Sequence, residues 1–386
     1  MVDIAKIFKA LANEKMKNRN ENASSYCSQE RAETCPPHQE MLPWVSGRLT
    51  TPAGNVPQAT TSLQFTDRLG SFKVRWNIGR TSYSVEPGLY AVGTPSSESP
   101  LLVSANYKMS FDRLRSELSG HDLWILVIDT KGINVWCAAG KGTFGTDELV
   151  HRIETSQLQK VVSHGTLILP QLGAPGVAAH DVRKRTGFRI VYGPVRASDL
   201  PAFLDAGMKS TPEMRRVNFT TKDRIVLTPI ELTLGYKYVS AASGILLLLG
   251  GWGQGGYSFA NMSNVGLHAV LMFLLGYVAG AFITPTFLPW LPGRAFSMKG
   301  AIVGLFLAVG YVILEWEAPL SFSQGLNFLA WFMLLPAVSA FFAMNFTGAS
   351  TYTSLSGVRK EMRIALPTQL AAVVTGIACW MISHFV

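Results

Sequence analysis

After residue 236 the chain almost stops carrying charge. Of its 34 Lys and Arg and 25 Asp and Glu, residues 237–386 hold only Lys237, Arg294, Lys299, Arg359, Lys360, Arg363, Glu315, Glu317 and Glu361. So few polar side chains cannot clothe a water-soluble domain of that length. The stretch divides into apolar runs at about 237–252, 265–288, 298–316, 325–346 and 364–385, each near the roughly 20 residues that cross a bilayer. The first run is the shortest. These runs predict an all-α membrane domain of five transmembrane helices, with membrane lipid as its surroundings.

The charges that remain alternate between loops. Arg215, Arg216, Lys222 and Arg224 precede the first run, Arg294 and Lys299 follow the second, and Arg359, Lys360 and Arg363 follow the fourth. The 253–264 loop is uncharged, and the 315–324 loop has only Glu315 and Glu317. By the positive-inside rule this is a multi-pass inner-membrane protein with its N-terminus and soluble part in the cytoplasm and its C-terminus outside. His268 and Asn345 are the few polar groups within or near the runs, and Pro336 could kink the fourth. A transport path usually needs ionisable groups or broken helices at mid-membrane depth. An anchor is therefore expected. A transporter with a cytoplasmic regulatory domain, or uptake of a neutral metal–thiol complex, stays open.

The segment before residue 237 is normally charged. Its start, "MVDIAKIFKALANEKMKNRNENASS", has no apolar core of signal-peptide length and reads as a cytosolic start with one short surface helix. Residues 1–59 read as a polar segment and linker, 60–205 as the soluble domain and 206–236 as a second linker. The net charge of +9 comes with no basic stripe interleaved with aromatics, so no nucleic-acid partner is expected. Cys27, Cys35, Cys137 and Cys379 match no disulfide framework or zinc spacing. Cys27 and Cys35 could pair or help hold a metal, but two thiols are too few for an iron–sulfur cluster.

From residue 100, strands and helices alternate. "LLVSAN" (101–106), "DLWILVID" (122–129), "GTLILPQ" and "FRIVYGP" read as strands. Between them "SFDRLRSELSG", "TDELVHRIETSQLQKVV" (with Thr146 as N-cap) and "APGVAAHDVRKRTG" read as helices. The alternation predicts a parallel sheet in a Rossmann-like α/β layer, whose ligands bind beyond the carboxyl ends of the strands. Asn106, the 134–145 loop, and the loops at Gly173 and Gly193 converge on that rim.

The 134–145 loop, "NVWCAAGKGTFG", carries the one cysteine of the soluble domain's second half. A phosphate loop would need glycine where Val135 stands, and no G-x-G-x-x-G fingerprint lies at a strand end. A lone cysteine is commonly a core thiol. Cys137, however, sits beyond a strand, where Asn134 can cap a short helix whose N-terminus favours a thiolate that binds metal or attacks. No resolving cysteine lies nearby.

"NVWCAAGKGTFG" resembles the cap-helix signature of the HgcA family, membrane-anchored corrinoid proteins of anaerobic mercury methylation. The stretch "WNIGRTSYSVEPGLYAVGTPSSESPLLVSANYKMSFDRLR" (76–115) is similar to that family and to the large subunit of the corrinoid iron–sulfur protein of the acetyl-CoA pathway. Over about residues 60–205 the resemblance implies a corrinoid-binding domain. The four-cysteine cluster module of the acetyl-CoA subunit is missing, the spans are additional, and the D-x-H-x-x-G motif of histidine-ligated cobalamin proteins is absent. The first two departures favour the mercury-methylating branch, and the third means that another lower ligand, or none, is used.

The resemblance implies a base-off corrinoid with Cys137 as the lower axial ligand of cobalt and the catalytic residue. Asn134, Val135, Trp136, Ala138, Ala139, Gly140 and Lys141 would shape the cap, with Asn106, Gly173 and Gly193 as further cofactor contacts. A thiolate trans to a cobalt-bound methyl group would push electron density toward it. Transfer of that methyl as a carbanion equivalent to Hg(II) leaves Co(III), so two electrons must restore Co(I) before a folate or pterin methyl donor can recharge it. A ferredoxin-like iron–sulfur protein is the implied electron donor. The other reading is a membrane-tethered corrinoid methyl carrier of one-carbon metabolism.

Overall fold

A computed structural model of the chain describes residues 42–350 and 355–386. Cys27, Cys35 and the N-terminal surface helix lie outside the described residues.

Seven strands form one sheet in the order β1-β2-β3-β5-β4-β6-β7. They are β1 (Val45–Thr51), β2 (Gly54–Ala59), β3 (Gly88–Val92), β4 (Leu101–Ala105), β5 (Leu123–Ile128), β6 (Thr166–Leu169) and β7 (Arg189–Tyr192). Strands β5, β4, β6 and β7 are parallel neighbours, as the alternation predicts. The sheet as a whole is mixed, which corrects the expectation of a parallel one. Strand β3 runs antiparallel to β5, and β1 and β2 form an antiparallel hairpin. The cause is connection length: residues 93–100 between β3 and β4 are too few for a crossover helix, and antiparallel strands need none. The sheet also reaches back to Val45, so residues 45–59 are strands and not linker.

Helix α1 (Phe65–Arg75) follows the hairpin, α2 (Lys108–Ser116) follows β4, and α3 (Val135–Lys141) and α4 (Thr146–Thr155) follow β5. Helix α5 (Ala179–Thr186) lies between β6 and β7, and α6 (Leu200–Asp205) follows β7. Strands β4 and β5, "LLVSA" and "LWILVI", are buried along their whole length because helices cover both faces. One core joins Leu126 and Ile128 to Phe144, Leu149, Ile153 and Val182. The other joins Ile125 and Val127 to Phe111, Leu118 and Phe203. Thr146 is the first residue of α4 and not its cap; Gly145 takes the cap position, and the Thr146 hydroxyl accepts from Ala178 N–H at 2.9 Å instead. The single helix expected over 146–162 ends at Thr155, with Gln157 in left-handed backbone (φ 47°).

The helical part begins inside the stretch read as linker. Helices α7 (Thr221–Leu234) and α8 (Tyr236–Leu249) meet at a 58° bend. Then come α9 (Phe259–Thr286), α10 (Phe296–Glu315), α11 (Phe322–Asn345) and α12 (Leu355–Ser383). Among the described residues, four helices are long and apolar enough to cross a membrane, or five if the bent pair is one span. The expected run 237–252 falls on α8 alone, whose 14 residues rise only about 21 Å, short of a bilayer core. Small residues let α10 and α11 pack closely: a Cβ on Gly300 or Gly304 would lie 2.6 Å from Ser339 O or 2.4 Å from Leu335 O. Pro336 is accommodated within continuous α11.

The cation-bearing connections gather at one end of this bundle. Arg224 Nε and Nη2 donate to Thr286 O at 3.2 and 3.1 Å, and Ser297 N–H donates to a Glu361 carboxylate oxygen at 2.6 Å. At the other end Gln324 donates to Glu315 O and Ser323 to Ser383 O. The charge alternation read from the loops is thus an asymmetry between two ends of one bundle. His268 packs its ring 5.6 Å from that of Tyr311.

Candidate functional site

The carboxyl ends of β4, β5, β6 and β7 share one edge of the sheet. Connections leave β4 and β6, which are neighbours, toward opposite faces, and such a divergence opens a crevice at the strand ends. The turn after β5 leads into α3 at this edge. Asn134 has extended backbone, and its side-chain oxygen accepts from Cys137 N–H at 2.9 Å. That bond satisfies one donor that the first helical turn leaves free. Helix α3 stops after two turns because Gly142 adopts a left-handed conformation (φ 80°).

The two faces of α3 differ. Ala138 and Ala139 are buried beside Phe144 in the sheet's core, with Val135 at its margin. Trp136 is 39% exposed, Cys137 is half-buried, and Gly140 and Lys141 are exposed. A Cβ on Gly140 would meet nothing within 4 Å, so the helix is open to solvent at that position. The underside is tight. The two-turn 3-10 segment Gln171–Gly176 packs against α3, and a Cβ on Gly173 would lie 2.6 Å from Phe144 Cε1. On Gly176 it would lie 2.1 Å from Phe144 O and 3.1 Å from Ala139 Cα. Gly193, at the end of β7, is buried against Ile168.

Asn106 joins β4 to the turn that carries α3. Its Oδ1 accepts from Thr130 N–H (3.1 Å), the Thr130 hydroxyl (2.8 Å) and Gly132 N–H (3.0 Å), and its Nδ2 donates to Asp129 Oδ1 at 3.1 Å. Asp129 N–H donates in turn to a Glu148 oxygen at 2.8 Å, tying the turn to α4. Burial pushes the Asp129 carboxyl up, but hydrogen bonds from Lys131 and the charges of Lys131 and Arg152 outweigh it and hold the group below the usual carboxylate range.

Of the expected cap residues, 134–141 form one helix at the sheet edge, with Gly173 beneath it. Asn106 is 6% exposed with both ends of its amide engaged within the protein, so it acts as a clamp on the turn. The structure adds residues that the sequence did not single out. Phe144 and Gly176 seat the cap, and Thr130 completes the clamp. Tyr107 is 2% exposed, and its hydroxyl has no hydrogen-bond partner among the described residues. Burial pushes the Tyr107 phenol up against the pull of Arg80 and Arg75, and the Cys137 sulfur pushes the same way as burial. The adjacent "NY" after the β4 run was the only signal for it.

Residues 71–204, which take in α3 and the parallel strands, match the family described as CO dehydrogenase/acetyl-CoA synthase delta subunit. The gamma subunit of the acetyl-CoA decarbonylase/synthase complex of Methanopyrus kandleri is 34% identical over 128 residues, 33% of this chain and 27% of the relative. Gamma subunit 2 of Methanosarcina thermophila is 33% identical over 130 residues, again 33% and 27%. The Archaeoglobus fulgidus gamma subunit is 28% identical over 137 residues, 34% of this chain and 29% of the relative. The chain therefore spans about a quarter of the length of the relatives it matches.

Proposed function

We propose that the chain is a membrane-attached corrinoid protein that passes a methyl group to inorganic Hg(II), giving methylmercury. When bound, a base-off corrinoid supplies a cobalt centre able to take up and release a methyl group. The observation that carries the reading is the α3 face: one soft thiol, Cys137, on an open surface made by Trp136, Gly140 and Lys141. Among the described residues no three His, Cys, Asp or Glu stand together as a ligand set for an ion. A metal that arrives inside its own flat macrocycle needs only one protein ligand, and α3 offers one.

The residues divide the work. Cys137 would hold the cobalt through its sulfur, with Asn134 fixing the start of its helix. Gly140 leaves room for a planar group to lie close, and Phe144, Gly173 and Gly176 hold α3 against being pushed into the sheet. A ferredoxin-like iron–sulfur protein would supply electrons, and a folate or pterin the methyl group.

A second reading is favoured by the comparisons. Subunits of acetyl-CoA decarbonylase/synthase complexes match the domain that carries Cys137, which supports a corrinoid methyl carrier of one-carbon metabolism. The helical bundle and the cap signature support the mercury reading. Full-length protein in membranes, loaded with methylcorrinoid under anaerobic reducing conditions and given Hg(II), separates the two. Methylmercury from wild type and not from Cys137→Ala is expected. Bound cobalt without methylmercury, with reductant and methyl group verified, would leave the carrier.

A further inference from the structure

Helix α1 presents an apolar stripe that nothing in the described residues covers. Phe65 is 77% exposed, Leu69 38%, Phe72 59% and Trp76 38%, and Ile78 just beyond the helix is 59% exposed. At about 100° per residue the first four fall within roughly 60° of one another. Arg68 and Lys73, both exposed, stand on either side of the stripe. The only acid between residues 65 and 80, Asp67, points the other way into a buried cluster with Lys108 and Arg115 at 2.6 and 2.7 Å. An exposed face of aromatic and aliphatic residues, edged by cations and free of acid, is the pattern of a helix lying in a lipid headgroup region.

Its position supplies the second argument. Helix α1 packs against α7, the first half of the bent pair, and α7 is fastened to the cation-bearing end of the bundle by Arg224 and Thr286 O. Arg80, two residues after Ile78, places its guanidinium 5.9 Å from the centroid of the Tyr107 ring. At the same end Trp290 is 66% exposed and sits 5.7 Å from the Arg224 guanidinium, the place of an interfacial aromatic. The stripe is thus carried by a helix attached, through α7, to the cation-bearing end of the bundle.

We infer that α1 is an interfacial helix: its Phe65, Leu69, Phe72 and Trp76 face lies in the headgroup layer of an anionic membrane, holding the α/β domain against the bilayer. This requires the helical bundle to sit in a bilayer but does not depend on any bound corrinoid.

The test uses the full chain with a photoreactive phenylalanine analogue at Phe72, reconstituted into phosphatidylglycerol/phosphatidylcholine vesicles, irradiated and analysed by mass spectrometry. A lipid adduct is expected. Replacing Arg68 and Lys73 by Gln should lower the ratio of lipid adduct to unlinked protein by up to roughly fivefold per cation, toward the ratio in phosphatidylcholine alone. An adduct with residues 1–41, an adduct with a second copy, or no adduct would each overturn the proposal. The same analogue at Leu314, which is 84% exposed on α10, reports lipid if the bundle is inserted and so separates a misplaced α1 from failed reconstitution.

Discussion

Replacing Asn106 by Ala should unfasten the turn that carries α3. The amide oxygen holds two backbone N–H groups and a hydroxyl within 3.1 Å, inside a site where Asn106 is 6% and Thr130 0% exposed. The Thr130 hydroxyl keeps its bond to Ile133 O at 2.6 Å, and Asp129 keeps Lys131 N–H at 2.9 Å, so those groups stay satisfied. The amides of Thr130 and Gly132 do not. A buried donor left unpaired costs about 1–3 kcal/mol, and half-buried Gly132 recovers part of that from water. The loss is therefore about 2–4 kcal/mol, or on the order of 30-fold or more in local opening. Hydrogen exchange on the full chain in detergent reads it at the Thr130 amide, and thermal unfolding reads it globally. Exchange at Thr130 unchanged within threefold, together with weakened corrinoid binding, would show that Asn106 touches the ligand and does not clamp the turn.

Asn134→Ala removes the only side-chain cap of a seven-residue helix and should destabilise it by about 1 kcal/mol, seen as faster alkylation of Cys137 in the full chain. Gly176→Val puts side-chain atoms against Phe144 O and Ala139 and should cost about 1–3 kcal/mol in thermal unfolding, while Gly140→Ala, which meets open space inside a helix, should raise the melting temperature slightly. Asp67 should make the fold acid-tolerant. Burial raises its carboxyl, but Lys108 and Arg115 more than offset this and hold it below the ordinary range. Its contribution is complete above an unfolded carboxyl pKa of about 3.9 and lost only as pH falls through the lower folded value. An unfolding titration of wild type and Asp67→Asn should therefore keep its full difference down to about pH 4, then converge below it. Convergence already between pH 5 and 7 would refute that pairing.

The apolar helices were legible because charge depletion and loop cations are properties of composition, and the bundle gathers those cations at one end. What the composition hid was the bend: Gly235 interrupts a helix whose first half carries Lys222, Asp223, Arg224 and Glu231, charges that made it read as linker. Strands β4 to β7 were legible as apolar runs separated by amphipathic helices. The hairpin β1–β2 was not, since its burial is partial and its Pro57 and glycines read as loop. At the site, Asn134 and the cap helix followed from local sequence. The role of Asn106 did not, because its partners lie 23 to 26 residues away and only the β4–β5 pairing brings them together.

Cobalt-edge X-ray absorption on the full chain loaded with corrinoid reads directly whether Cys137 meets the metal. A sulfur neighbour of cobalt in wild type, lost in Cys137→Ala while cobalt remains bound, is the predicted result. The same nitrogen and oxygen shell in both proteins would contradict it and leave Cys137 as a half-buried thiol at the edge of the sheet.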